Sequence, residues 1–156
     1  MTTTTTTHPA PSTGTQRHRM VFVNLPVADV ARSREFFARV GYAFDERMCN
    51  GSALAVELGP NIYAMLLQRE YFGQFHDGAA AETGQTEVLT CLSADDREHV
   101  DAIVDAAVAA GGRDVRTEDY GGSDFMYGRS YADLDGHIWE IMWMDAAAAE
   151  RAGAFA

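Results

Sequence analysis

An internal repeat constrains the fold of this chain more than any other feature of its sequence. Residues 22–29 (FVNLPVAD) align with residues 89–96 (LTCLSADD), and residues 61–67 (NIYAMLL) align with residues 137–143 (HIWEIMW). The two similar pairs occur in the same order, and each follows the same series of predicted elements. The sequence therefore indicates a duplicated βαβββ unit.

The first copy of the unit begins with a β-rich run at residues 20–26. Asp29 is a good N-cap and Gly41 a good C-terminal stop, so we predict a helix over residues 30–40. Turn signals then separate three further predicted strands, at residues 42–47, 52–58 and 62–68.

The second copy repeats this order after a connecting segment. A strand is predicted at residues 87–92, and a helix with one apolar stripe at residues 95–110. Three strands follow at residues 113–117, 125–132 and 138–144, and the last two are joined by a turn at Leu134-Asp135-Gly136. A two-residue turn at Asp135-Gly136 would pair Glu140 with Tyr131, whereas a three-residue turn with Gly136 in the left-handed conformation would pair it with Ser130.

The repeat predicts an α+β fold with one domain at residues 20–145. Its two modules cover residues 20–68 and 86–145, and residues 69–85 link them. The first 19 residues are rich in Thr and Pro and have almost nothing to bury, so we expect a disordered tail. The Ala-rich end, residues 146–156, is predicted as a short C-terminal tail with a helical turn.

The charge balance excludes several classes of partner. The chain has 23 acidic and 12 basic residues and a net charge of −11. Nucleic acids and anionic membranes both need a basic surface, so neither is an expected partner. No apolar run reaches the roughly 18 residues of a membrane span. Two cysteines without a CxxC motif suggest a reducing, cytoplasmic setting.

Two motifs resemble those of a known superfamily. Residues 23–29 (VNLPVAD) run into residues 33–37 (SREFF), and the second module closes with residues 133–141 (DLDGHIWEI). These are similar to the opening and closing motifs of the vicinal oxygen chelate superfamily, which includes glyoxalase I, bleomycin resistance proteins and extradiol dioxygenases. Leu134 stands where proline is usual. The resemblance implies two tandem βαβββ modules that form curved mixed sheets around a cleft, and a homodimer.

The same resemblance implies where a metal centre would lie. The metal-ligand positions of the superfamily correspond to Phe22 and Ala64 in the first module and to Leu89 and Glu140 in the second. Glu140 alone can bind a divalent ion, and one carboxylate does not hold a metal. We therefore predict no metal cofactor, with His76 in the linker as the one plausible additional ligand.

The predicted site centres on Glu140, as a catalytic base or as a ligand-binding carboxylate. A relic of the superfamily, held in a salt bridge or solvated, is the alternative. The superfamily's turn resembles the three-residue kind, which implies that Ser130 pairs with Glu140 across the last hairpin. Arg129 is then expected on the helix side or near an edge. The other predicted ligand-binding residues are an apolar group, Phe22, Leu66, Leu89, Met126 and Met142, and a polar group, Asn24, Gln68 and Cys91.

The linker at residues 69–85 is rich in aromatic residues, which form either a lid over the cleft or a cluster that fastens the two modules together. The sequence favours a binder of small molecules, or a metal-independent enzyme. A metal-dependent lyase, isomerase or dioxygenase is one alternative, and a structural dimerisation module with a vestigial cleft is another. For the homodimer, we expect the contact to use the face of Trp139, Ile141 and Trp143 together with the Ala-rich C-terminus.

Overall fold

A computed structural model describes residues 18–118 and 122–154, so the predicted N-terminal tail lies almost entirely outside the described residues. The first module contains β1 (Val21–Val27), α1 (Val30–Val40), β2 (Ala43–Phe44), β3 (Ala53–Gly59) and β4 (Ile62–Gln68). A short helix, α2 (Arg69–Phe72), opens the linker. The second module contains β5 (Leu89–Ser93), α3 (Arg97–Ala109), β6 (Arg113–Glu118), β7 (Met126–Ala132) and β8 (Ile138–Met144), and α4 (Ala146–Arg151) follows it.

Each module forms one four-stranded sheet with the same topology. The strand order is β1-β4-β3-β2 in the first sheet and β5-β8-β7-β6 in the second. The first and last strands of each module are parallel, and the remaining pairs are antiparallel. The predicted α+β fold with two βαβββ modules is confirmed.

Local sequence signals set the ends of α1. The Asp29 side chain accepts a hydrogen bond of 2.9 Å from the backbone of Arg32, and Gly41 ends the helix at φ +112°. The predicted strand at residues 42–47 is too long. The buried Asp45 accepts hydrogen bonds from the backbone and side chain of Arg47, and these favour a 3₁₀ turn after the two residues of β2.

One hydrophobic core joins the modules. Phe36 and Phe37 of α1 contact the same buried cluster as Val100 and Val104 of α3, and α1 packs against α3. Trp139 is fully buried there beside Phe37, with ring centroids 5.3 Å apart.

The predicted self-association face is wrong. Trp139 and Ile141 are both fully buried in the core of their own chain. Trp143 is partly buried, and the Arg97 guanidinium lies 5.2 Å from the centre of its ring. A strand that alternates its side chains between two faces offers only one apolar set to the core. On β8 the set that faces the core is Trp139 and Ile141, so these two side chains are not available for a contact with a second chain.

The turn between β7 and β8, residues 133–137, fastens the second module to the first. Asp135 accepts a hydrogen bond of 2.8 Å from the backbone of Ala28, and Arg32 donates one of 2.7 Å to the Leu134 carbonyl. His137 Nε2 donates to the Pro26 carbonyl at 2.7 Å. We call this set of three contacts the module latch. It fixes the junction of β1 and α1 relative to the second sheet.

The buried Asp133 side chain holds the turn that carries the module latch. The side chain is 7% exposed and accepts hydrogen bonds of 3.0 Å from the backbone of Asp135 and His137, and a third of 3.0 Å from Trp139 Nε1. Burial raises the pKa of Asp133, while His137 and the hydrogen bonds oppose that change. The carboxylate therefore couples the latch to the core.

The longest helix, α3, covers Arg97–Ala109. Within the described chain, no helix is both long enough and apolar enough to cross a lipid bilayer.

Candidate functional site

Each sheet presents one face to α1, α3 and the core. We call the other side the open face, and strand alternation decides which residues lie on it. On β8, Trp139 and Ile141 belong to the core, so Glu140 and Met142 lie on the open face of the second sheet. On β1, Leu25 and Val27 belong to the core, so Phe22 and Asn24 lie on the open face of the first sheet.

A polar row crosses the open face of the second sheet. The strand registers place Cys91 beside Glu140, Glu140 opposite Ser130, and Ser130 opposite Arg116. Ser130 is buried, Glu140 is half-buried and Cys91 is exposed. Gly136 has a φ of +88°, so the predicted turn and the predicted pairing of Ser130 with Glu140 are both confirmed.

Arg129 points away from this row. Its guanidinium hydrogen-bonds to Asp101 and Asp105 of α3 and to Asp114 of β6, at 2.6–3.0 Å. The predicted position of Arg129 on the helix side is correct.

Arg116 is the member of the row that the sequence did not reveal. A register shift lies between Asp114 and Arg116 on β6, so simple alternation along that strand assigns its side chains to the wrong faces. Arg116 forms an ion pair with Glu118 on the same strand. The open face therefore carries a cation as well as the Glu140 carboxylate.

Cys91 remains a thiol rather than a thiolate in this setting. Although Cys91 is exposed, partial desolvation raises the pKa of its thiol, and the neighbouring Glu140 carboxylate raises it further. A thiolate is the reactive form of cysteine, so the site does not activate a cysteine nucleophile.

Three apolar candidates are on the open face of the second sheet. Met126 shares the face of Ser130 on β7, and Met142 shares that of Glu140 on β8. Leu89 lies beside Ile138 and is 54% exposed. The face combines an apolar border with a central polar row.

On the first sheet the placement of several predicted residues needs correction. Ala64 and Leu66 are fully buried in the core, on the side opposite Phe22. Gln68 lies on that side too, and its amide donates a hydrogen bond of 3.4 Å to the Ala28 carbonyl. Leu66 and Gln68 are therefore not on the wall of the predicted cleft.

The error has a simple origin. The alignment of residues 61–67 with residues 137–143 is displaced by one position, and a displacement of one residue exchanges the two faces of a strand. The residue beside Phe22 is Tyr63, whose ring stacks on that of Phe22 at 5.3 Å. The residue that corresponds to Glu140 is Met65.

These positions do not fit the metal centre that the fold implies. The four corresponding residues are Phe22, Met65, Leu89 and Glu140, which offer one carboxylate in place of three or four N, O or S donors. Within residues 18–118 and 122–154, no group of three or more His, Cys, Asp or Glu side chains is arranged to hold an ion.

The linker covers part of the open face of the first sheet. Helix α2 packs against β1 and β4, and Tyr71 and Phe75 contact each other with ring centroids 5.0 Å apart. Two cavities lie between the linker and the sheet. One of about 310 Å³ is lined by Asn24, Leu67, Phe72, Phe75, His76, Ala79, Ala80 and Glu87. Another of about 230 Å³ is lined by Asn24, Met48, Asn50, Ala53, Met65, Leu67, Tyr71 and Phe75.

Glu140 lines neither of these cavities. A single chain thus carries two separate groups of candidate residues. Phe22 and Asn24 lie on the first sheet, and the row of Glu140, Ser130 and Cys91 lies on the second.

Comparisons with known proteins agree with this architecture. A family model described as "Bleomycin resistance protein-like N-terminal" matches residues 19–58. No curated protein sequence matches the chain at a significant level.

Several solved structures are similar to the chain. Hypothetical protein SA1046 from S. aureus has a TM-score of 0.68 and 22% identity, over 82% of this chain and 95% of that one. A glyoxalase-related enzyme from Fulvimarina pelagi has a TM-score of 0.68 and 19% identity, over 81% of this chain and 88% of that one. A glyoxalase/bleomycin resistance protein/dioxygenase family enzyme from Burkholderia phytofirmans PsJN has a TM-score of 0.62 and 18% identity, over 78% and 94%.

The chain has the glyoxalase/bleomycin resistance/dioxygenase fold. Its resemblance to the vicinal oxygen chelate superfamily, first suggested by the two sequence motifs, is confirmed.

Proposed function

We propose that this protein binds a small organic molecule without a metal ion, on the open faces of its two sheets. The pair of cavities beneath the linker is the observation that carries this proposal. Their walls combine apolar and aromatic side chains with a few polar groups, which is the usual composition of a ligand site. A structural module with a vestigial cleft would have no need to keep such space open.

Catalysis without a metal fits the same arrangement. Glu140 is half-buried and adjoins Ser130, so it can take a proton from a bound molecule or accept its hydrogen bond. A metal-dependent lyase, isomerase or dioxygenase is the weaker alternative, because the four metal positions offer a single carboxylate. The fold itself does not decide the chemistry, since function depends on the site.

The first test concerns metal. We expect purified protein to contain no stoichiometric divalent ion, and added Ni, Zn, Mn or Fe salts to leave its melting temperature unchanged. An ion that bound only the native state would stabilise it by about 2.7 kcal/mol at a hundredfold excess over Kd. Elemental analysis and thermal melts measure both quantities. One tightly held ion per chain would overturn the metal-free proposal.

We further propose that the site is completed in a homodimer. Large apolar side chains are exposed where β1 and β5 begin, and both are edge strands. They are Val21 (51% exposed), Phe22 (44%), Val88 (40%) and Leu89 (54%). Exposed apolar groups of this kind mark association surfaces. A contact related by a two-fold axis would bring the Glu140 row of one chain toward the cavities of the other.

Light scattering tests the dimer. We expect about 34 kDa, twice the 17.0 kDa of one chain, at micromolar concentration. Phe22→Glu places a charge in the proposed contact and should give the monomer mass. Val115→Glu is the matched control, because Val115 is 38% exposed on an edge strand outside the contact, and it should stay dimeric. A monomeric wild-type protein would contradict the proposal.

We place the protein in the cytoplasm. Cys49 and Cys91 are both free thiols in the structure, which suits a reducing compartment. The net charge of −11 makes nucleic acid and anionic lipid unfavourable partners.

A further inference from the structure

The two cavities on the first sheet are neighbours rather than independent sites. Asn24, Leu67 and Phe75 line both of them. Asn24 and Leu67 belong to the sheet and form a common floor. Phe75 belongs to the linker, so it is the shared residue that reaches the floor from above. Phe75 therefore contributes to the walls of both cavities from the side opposite the floor.

The backbone around Phe75 is held more firmly than its side chain. Three successive hydrogen bonds, Gly73 to Arg69, Gln74 to Tyr71 and Phe75 to Phe72, continue the turn of α2, each at 3.1 Å. The Phe75 side chain is nevertheless 62% exposed, and its aromatic contact is an edge-to-face one with Tyr71. The hydrogen bonds fix the backbone of Phe75, so replacing its side chain changes only the space that the ring occupies.

We propose that Phe75 sets the size of the ligand by dividing one trough into two compartments. This inference rests on the proposed binding function and adds the class of ligand. Small-molecule sites usually measure about 300–1,000 Å³. The compartments of about 310 and 230 Å³ are at or below that lower limit separately and fall within the range when joined.

The chemistry of the compartments indicates the class of ligand. Phe72 and Phe75 contribute aromatic rings to the larger one, and Met48 and Met65 contribute thioethers to the smaller one. Aromatic rings and methionine sulfur both contact aromatic ligands well. The polar groups at the larger compartment include the Glu87 carboxylate, and the whole chain is strongly acidic. The ligand is therefore a ring-bearing amphiphile that is uncharged or cationic, with a compact ring system that occupies one compartment.

A pair of neutral probes tests this division. 1-Naphthalenemethanol is compact, and 4-(benzyloxy)benzyl alcohol carries two rings in line and needs both compartments. Ligand-observed NMR titrations give the dissociation constants for the wild-type protein, Phe75→Ala and Phe75→Trp. We expect Phe75→Ala to tighten binding of the elongated probe at least tenfold and that of the compact probe by less than threefold. Phe75→Trp places a larger ring at this position and should weaken binding of the elongated probe relative to the wild-type protein.

The possible results separate this inference from the proposed function. If both probes bind and their affinity ratio is the same in all three proteins, Phe75 does not set ligand size, while ligand binding at this face stands. If neither probe binds any of the three proteins, both the division by Phe75 and the proposed binding function of this face are wrong. Circular dichroism and thermal melts confirm that each variant is folded before titration.

Discussion

Replacing Asp133 by alanine is expected to destabilise the protein by about 3 kcal/mol. The substitution removes three hydrogen bonds and leaves Trp139 Nε1 without an acceptor in the core. Net hydrogen-bond contributions are about 1 kcal/mol each, and an orphaned buried donor costs about 1–3 kcal/mol. Release of a buried charge offsets part of that loss. For a chain of this length the melting temperature should fall by about 6–12 °C.

Asp135→Ala is the matched control for that experiment. It removes the same side chain from the same turn, but the hydrogen bond that it breaks, to the backbone of Ala28, is exposed. Water can replace this bond, so the cost should stay below about 1 kcal/mol. Asp133→Asn should lie between the two, because an amide retains one oxygen but presents a donor to Trp139. Urea denaturation gives the three free energies of unfolding. Equal losses for Asp133→Ala and Asp135→Ala would contradict the role of Asp133.

Most residues of the closing motif of the second module have structural roles. The sequence singles out residues 133–141 as similar to a superfamily motif, and the structure explains most of that motif as architecture. Asp133, Asp135 and His137 hold the turn and the module latch. Gly136 supplies the left-handed turn. Glu140 places a carboxylate on the open face, which it shares with Ile138. Resemblance in such a motif therefore predicts the fold better than it predicts chemistry.

Local signals predicted the elements well. Residues 30–40 and 138–144 form the predicted helix and strand without any change of boundary, because caps and turn glycines mark their ends in the sequence. Side-chain orientation on the first sheet was predicted less well. Its last strand is apolar on both faces, so its sequence contains no alternation that could reveal the correct register. The one-residue error at Leu66 and Gln68 follows from that uniformity.

The position of the linker could not be predicted from its sequence. Its aromatic residues were compatible with a lid, but the sequence favoured a cluster that fastens the two modules together. The structure places Tyr71, Phe72 and Phe75 against cavities over the first sheet, with α2 packed on β1 and β4. Such long-range packing depends on where the chain returns in space, and a pattern of residues along the linker does not encode it.

Glu140→Gln should leave the melting temperature unchanged or raise it, while it selectively weakens the binding of cations. Within the described residues, Glu140 is not part of an ion pair, and the nearest cation in the row, Arg116, is paired with Glu118. Glutamine preserves the shape of the side chain and removes a partly desolvated charge, so no opposite charge is left unpaired. The carboxylate is thus available for a ligand rather than committed to the fold.

Two probes with the same ring system measure that role. 1-Naphthylmethylammonium and 1-naphthalenemethanol differ in charge. In the proposed dimer the Glu140 row of one chain faces the cavities of the other, so Glu140→Gln should weaken binding of the ammonium probe at least tenfold, about 1.4 kcal/mol, while it changes binding of the alcohol little. Glu98→Gln makes the same change of charge at an exposed position on α3, so it controls for the net charge of the protein and should leave both affinities unchanged. A fall in stability of about 3–5 kcal/mol would instead identify Glu140 as a buried salt-bridge partner. Equal weakening of both probes would show that its charge does not select the ligand.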